Sequence, residues 1–227
     1  MTARDIQNFW IAEYKRLGAL WIHDGHPKRP HALLTSGLHS GGFFNSKIVV
    51  QDDILLNMAA KDLVSVFFDQ ACERRPYDIA GVIGPQTGAT KLAQFLSLEL
   101  PTKEPAISIS PAKGEVDGQK AMIFTEEERA MIAGRKFLLC EDVLTTGLSV
   151  DLTAEAVKKA GGIVEPYMLV LVNRSGLREI AWRQVVALID NHMPIWTPKE
   201  CPLCPVSKAI RPKSEDGQNW ALLNAKY

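Results

Sequence analysis

The chain has 227 residues, 46% of them hydrophobic and 23% charged, which is enough to bury a full core in one domain or in one domain with an appendage. Its 26 Lys plus Arg balance 26 Asp plus Glu, so no net field draws it to nucleic acid or to anionic lipid. The apolar runs fall far short of a membrane span, the N-terminus lacks a signal-peptide core, and four unevenly placed cysteines exclude a disulfide scaffold; these features predict a cytoplasmic protein.

In chain order, Ile6, Phe9, Trp10, Tyr14 and Leu17 recur at helical spacing and predict an amphipathic helix from Arg4 to Leu20. His23 to Lys47 is rich in Gly, Pro, Ser and His, and reads as loops and short strands forming a small hood. A second helix is predicted from about Asp53 to Cys72. An alternating pattern follows: strand Ile79 to Gly84, helix Ala89 to Leu100, strand Ala106 to Ser110, strand Lys136 to Asp142, helix Ser149 to Gly161, then strands "YMLVLVN" and "QVVALID". Nearly continuous apolar strands separated by helices predict an α/β fold with a buried parallel sheet.

Pro111 to Gly134 is longer than an ordinary connection, carries Gly114, Gly118 and the charged "TEEER", and reads as a lid with one strand at "QKAMIF". The proline-rich, aromatic tail after Asp190 reads as an extended segment docked on the core. The expected organisation is a helix and hood over 1–52, a core over 53–190 and a packed extension over 191–227.

Chemistry concentrates in "LLCEDVLTTGLS", Leu138 to Ser149. Glu141 and Asp142 are expected to end a strand, and Thr145, Thr146, Gly147, Leu148 and Ser149 to turn into a helix whose first N–H groups lack intrahelical partners. Such a turn cradles an anion, while the paired carboxylates suit a sugar diol, so a phosphorylated sugar satisfies both halves. The competing reading is a plain helix cap by Thr145 or Ser149, with the acids solvated.

This stretch resembles the phosphoribosyl-pyrophosphate (PRPP) motif of type I phosphoribosyltransferases. The resemblance implies that family's fold, a parallel sheet core flanked by helices with an N-terminal hood. It also implies that Glu141 and Asp142 face the ribose hydroxyls, with Mg²⁺ nearby, and that Thr145 to Ser149 hold the 5′-phosphate. "GVIGPQTGATKLA" is similar to the family's pyrophosphate loop, which gives Pro85, Gln86, Thr87 and Gly88 to the diphosphate. "LLTSGLHSGGFFNSK" resembles the hood of orotate phosphoribosyltransferases, where Phe43 and Phe44 would enclose the base, and Arg174 falls where those enzymes meet the substrate carboxylate. The resemblance implies a Mg²⁺-dependent enzyme joining PRPP and orotate, a homodimer, with Lys113 and Lys120 of the lid acting on the leaving pyrophosphate beside Asp142. The lid lacks the family's Lys, Lys, His-Gly pattern, and Thr35 stands where Lys is common. Transfer to another purine or pyrimidine base, or a PRPP-binding regulator without turnover, therefore stay open.

Three further groups belong to no motif. Cys201 and Cys204 have half of a zinc knuckle's spacing, but a tetrahedral site needs four ligands, so a tight turn with packed thiols is weighed above a site shared between two chains. Cys72 and Cys140 fall on core elements. His23 and His26 read as solvated loop histidines rather than metal ligands, and His39 has the better claim to lie near substrate.

Overall fold

The first helix, α1 (Ala3–Arg16), is set by a capping box in which Thr2 and Asp5 satisfy each other's backbone N–H groups. Its buried stripe is Ile6, Trp10 and Tyr14; Phe9, expected on that stripe, is 43% exposed because it falls on the far edge of the helix. Trp10 Nε1 donates to Asp62 Oδ2 at 2.8 Å and ties α1 to helix α3 (Asp53–Ala71), which follows the short α2 (Lys47–Gln51). The computed structural model describes residues 2–71, 78–214 and 217–227; Cys72, assigned from sequence to the end of the second helix, lies outside them.

The main sheet contains β5 (Ile79–Ile83), β6 (Ile107–Ile109), β9 (Lys136–Leu144), β10 (Ile163–Asn173), β11 (Glu179–Ile180) and β12 (Arg183–Asp190). Its order is β11-β12-β10-β9-β5-β6, all parallel except the edge strand β11. Helices cover both faces. On one side α1, α3 and α4 (Thr90–Glu99) pack on Val82, Leu138, Cys140, Leu169 and Leu171. On the other, α6 (Leu148–Lys159) and the residues around α5 (Glu126–Ile132) pack on Ile83, Phe137, Leu139 and Val170. This is the buried parallel sheet expected from continuous apolar strands.

Helix α1 ends at Arg16 rather than Leu20, which already pairs with Phe44 in a strand, and two strands run past their expected bounds for physical reasons. Strand β9 continues two residues beyond the acids, because Val143 and Leu144 still pair with Val172 and Asn173. Strand β10 begins at Ile163, before Pro166, and the register shift between Val164 and Met168 accommodates a residue that has no N–H for the ladder.

The segment expected to be a lid is a hairpin of β7 (Ala112–Val116) and β8 (Gln119–Ile123), closed by Asp117 and Gly118 at positive φ. The "TEEER" charges belong instead to the start of α5, where Thr125 and Glu128 form a second capping box.

The hood has two small sheets. In one, β1 (Leu20–Ile22) pairs with β4 (Gly42–Phe44). In the other, β2 (His31–Leu33) and β3 (His39–Ser40) are joined by β13 (Ile195–Trp196) and β14 (Ala209–Ile210), in the order β13-β3-β2-β14. The C-terminal extension, expected to dock on the core, thus supplies half of the hood's four-stranded sheet. Its last helix, α7 (Gln218–Asn224), completes a separate apolar cluster of Trp21, Ala32, Leu34 and Leu223, with Trp21 Nε1 donating to the Leu223 carbonyl at 2.8 Å.

Candidate active site

In the parallel part of the sheet, β5 and β9 are neighbours whose following helices, α4 and α6, leave to opposite faces. That divergence opens a crevice at the carboxyl ends of the two strands, where ligands bind in open α/β sheets. Both sequence motifs converge there: Gly84 to Gly88 follows β5, and Glu141 to Ser149 spans the end of β9 and the start of α6.

The two loops touch. A Cβ built on Gly88 would lie 2.9 Å from both carboxylate oxygens of Asp142, so only glycine lets the first loop approach the acid. The peptide between Gln86 and Thr87 is cis. Gln86 donates its backbone N–H to the Pro111 carbonyl at 3.1 Å and its side-chain amide to the Ser110 carbonyl at 3.0 Å, which moors the loop to the root of the hairpin.

Helices α4 and α6 both enter from this crevice, and neither has a side-chain cap, whereas α1 and α5 carry full capping boxes. The sequence alternative in which Thr145 or Ser149 caps α6 does not hold. The N-cap is Gly147 at φ 82°, a conformation L side chains avoid, and a Cβ there would also meet Ile180 at 2.8 Å. The uncapped N–H groups of α6 remain available to an anion, with the helix dipole in its favour.

The acids point to different neighbours, as alternation along a strand requires. Asp142 faces Gly88, accepts the Val143 N–H at 2.9 Å, and its charge reaches the buried Tyr14, whose hydroxyl is raised chiefly by burial and donates to Ser46 Oγ at 3.2 Å. Glu141 accepts the Asp142 N–H at 3.2 Å. Burial and then the adjacent Asp142 charge push its carboxyl well above the ordinary range, and Lys113 of the hairpin pulls it partly back. Lys113 and Lys120 lie on one face of the exposed hairpin, Lys113 opposite Met122 and Lys120 opposite Glu115.

Arg174 is only 2% exposed at the junction of β10, the hood and the extension. Its N–H bonds the Leu144 carbonyl at the end of the acid-bearing strand, and its carbonyl accepts from Met193. Its Nη2 donates to Ser40 Oγ at 2.7 Å, and Ser40 in turn donates to the Pro194 carbonyl at 2.8 Å. Nε has no partner, and among the described residues no carboxylate pairs with this guanidinium. Burial lowers its pKa to about 10. The other buried arginine, Arg183, also leaves Nε without a partner but is paired through Nη2 with Asp151 at 2.5 Å. A buried cation held without an acid is expensive unless a ligand supplies one.

The aromatic pair divides across β4. Phe44 is 1% exposed and lies edge-on to Tyr14 in the core, with no free face. Phe43 is half-buried and contacts Trp220 of α7. Of the two rings, only Phe43 keeps surface to offer a ligand. His39 is buried in contact with His31 and Cys204, while His23 and His26 accept backbone N–H groups in the hood loop. Sequence reasoning missed Ser40 as the anchor of Arg174, although it stands inside the hood motif, and missed His31 altogether. A shallow cleft lined by Ile79, Pro105 and Lys136 lies at the opposite ends of β5 and β9, away from these groups.

Residues 50–199 match the model for the phosphoribosyl transferase domain, and the chain belongs to the phosphoribosyltransferase family. Among its relatives, the orotate phosphoribosyltransferase of Caldicellulosiruptor saccharolyticus is 33% identical over 174 residues, covering 77% of this chain and 82% of that protein. That of Campylobacter fetus subsp. fetus is 29% identical over 207 residues, covering 81% and 91%. The crystal structure of orotate phosphoribosyltransferase from Aeropyrum pernix superposes with a TM-score of 0.54 at 21% identity, covering 79% of this chain and 92% of that one, and shares the fold.

Proposed function

We propose that the protein transfers the phosphoribosyl group of PRPP to orotate, releasing pyrophosphate and forming orotidine 5′-monophosphate. The observation that carries the choice of base is Arg174, a buried guanidinium that no carboxylate among the described residues pairs with and that suits a carboxylated pyrimidine. Kinship with orotate phosphoribosyltransferases points the same way.

In this reading Thr145 to Ser149 and the uncapped start of α6 hold the 5′-phosphate, Glu141 and Asp142 accept from the ribose hydroxyls, and Pro85 to Gly88 receive the pyrophosphate. The bond from ribose C1 to the pyrophosphate oxygen breaks as the bond to the base nitrogen forms; the electron pair leaves with pyrophosphate, and the proton of the base N–H passes to the departing pyrophosphate or to solvent. No covalent intermediate on the protein is needed. The chain's task is alignment: Arg174 orients the base by its carboxylate, Phe43 lies against it, and the hairpin excludes water while Lys113 and Lys120 add positive charge.

Mg²⁺ fits the donors present, because it takes oxygen ligands and two carboxylates stand beside a loop that only glycine allows to approach them. Bound with PRPP near Glu141 and Asp142, the ion would neutralise charge on the departing pyrophosphate. The same reading makes the protein a cytoplasmic homodimer. Cys140, Cys201 and Cys204 form no disulfide among the described residues, in keeping with a reducing compartment, and no helix among the described residues is long and apolar enough to cross a membrane.

The test is purified protein with PRPP, Mg²⁺ and a panel of orotate, uracil, adenine and hypoxanthine, following base consumption and pyrophosphate release. Orotate should be consumed in step with pyrophosphate. Consumption of an uncharged base instead would reassign the acceptor, and PRPP binding with no base consumed would make the protein a regulator.

A further inference from the structure

A side-chain cluster beside Ser40 is not explained by the phosphoribosyltransferase reaction. His39 precedes Ser40 in β3, and its Nδ1 lies 3.1 Å from Nε2 of His31 at the start of β2. From the extension, Cys204 Sγ lies 3.2 Å from His39 Nδ1 and 3.6 Å from His31 Nε2, and Cys201 Sγ lies 3.5 Å from His31 Nε2. One ligand atom from each of the four residues falls within 4.8 Å of all the others.

We infer that His31, His39, Cys201 and Cys204 form a tetrahedral Zn²⁺ site that clasps the C-terminal extension to the hood.

Geometry decides between this and a chance meeting of polar groups. With Zn–N of about 2.05 Å and Zn–S of about 2.3 Å, a regular tetrahedron has edges of about 3.4 Å between two nitrogens and about 3.6 Å between nitrogen and sulfur. The N–N distance of 3.1 Å and the N–S distances of 3.2, 3.5 and 3.6 Å fall within a few tenths of an ångström of those edges. Hydrogen bonding accounts for the cluster poorly. Three groups crowd His31 Nε2, which as a neutral ring nitrogen serves one proton or one lone pair, whereas a metal satisfies all four at once.

The surroundings match a ligand set. His31 Nδ1 is 2.9 Å from Ser207 Oγ, a bond that fixes the ring and leaves Nε2 as the donor atom, as the outer partner of a metal-bound histidine does. His31, His39 and Cys201 are buried, and Cys204 lies at the rim as an entry point. The Cys201–Cys204 turn, closed by the Cys204 N–H to the Cys201 carbonyl at 3.3 Å, has the spacing of a zinc knuckle. Two thiolates and two imidazoles select zinc among common divalent ions, and with four protein ligands no position is open to a substrate, so the ion is structural.

Its location gives the site a second effect. Ser40, next to the ligand His39, holds Arg174 at 2.7 Å, so the clasp also steadies the pocket proposed for the base carboxylate. That consequence rests on the proposed reaction; the metal site itself does not.

The test begins with full-length protein grown in zinc-replete medium and assayed for metal by mass spectrometry, beside Cys204→Ser and His39→Asn. One zinc per chain is expected for wild type, with occupancy at least tenfold lower in both variants. Co²⁺ exchanged into the wild type should give the intense visible bands and thiolate charge-transfer absorption of a tetrahedral S₂N₂ site. Cys204→Ser removes a rim residue, and circular dichroism of this variant confirms that metal is lost without loss of fold. Folded wild-type protein that holds no zinc and shows no cobalt–thiolate band would overturn the site, as would zinc retained in full by both variants. Metal content is read without turnover, so a failure of the orotate assay leaves this result untouched.

Discussion

Gly88 and Asp142 come from different crossovers of the sheet, yet a Cβ on Gly88 would lie 2.9 Å from the Asp142 carboxylate oxygens. The approach brings the loop proposed for pyrophosphate against an acid proposed for ribose, so one ligand can span both. Gly88→Ala would push them apart at a cost typical of overpacking, about 1–3 kcal/mol. PRPP affinity, measured by calorimetric titration with Mg²⁺, should fall about 5- to 150-fold, while the circular dichroism spectrum stays that of the wild type.

Glu141 gives a pH signature. Its carboxyl is raised by burial and by Asp142, so the folded state binds its proton more tightly than the unfolded chain does. The stability it contributes is present below the ordinary carboxyl value of 4.5 and is lost as pH rises through the raised one. Glu141→Gln should therefore unfold at a higher temperature than wild type at pH 8, and the gap should narrow as pH falls toward 4.5. Calorimetric scans across that window check it; a gap independent of pH would mean Glu141 is ionised without penalty. The same variant should lose PRPP affinity, since an amide is a weaker partner for the ribose hydroxyls and for Mg²⁺.

The hairpin lysines separate chemistry from folding. Lys113 is exposed on β7 but its charge reaches Glu141, whereas Lys120 stands opposite Glu115. Lys113→Ala should lower kcat by about 10²-fold, the scale of removing one transition-state charge contact, with the thermal midpoint unchanged. Lys120→Ala should lower it less, because Glu115 already offsets its charge. Steady-state rates at saturating PRPP and orotate distinguish the two.

Sequence reasoning reached furthest where order along the chain coincides with contact. The apolar runs of β5, β9 and β10, the acid pair and the Thr-Thr-Gly turn are local signals, and the switch point assembles them as their order implies. It failed where contact is remote. Cys201 meets His31 across 170 positions, and the extension's strands β13 and β14 pair with β3 and β2, which no local periodicity announces. The hairpin strand β7, "AKGEV", carries too few apolar residues to be seen, and α5 was hidden because its opening charges suggested a lid. Phe43 and Phe44 read as an equivalent pair, but adjacent residues on a strand point to opposite faces, which sent Phe44 into the core.

In the proposed reaction a carboxylated base completes the charge of Arg174. Arg174→Gln removes the buried cation, so without substrate its thermal midpoint should equal or exceed that of wild type. The direct measurement is its steady-state kinetics with orotate at saturating PRPP. Loss of a desolvated guanidinium–carboxylate contact, about 2–5 kcal/mol, predicts that kcat/KM for orotate falls at least 30-fold while PRPP affinity stays within about twofold. A folded Arg174→Gln protein that uses orotate as well as wild type would contradict the account.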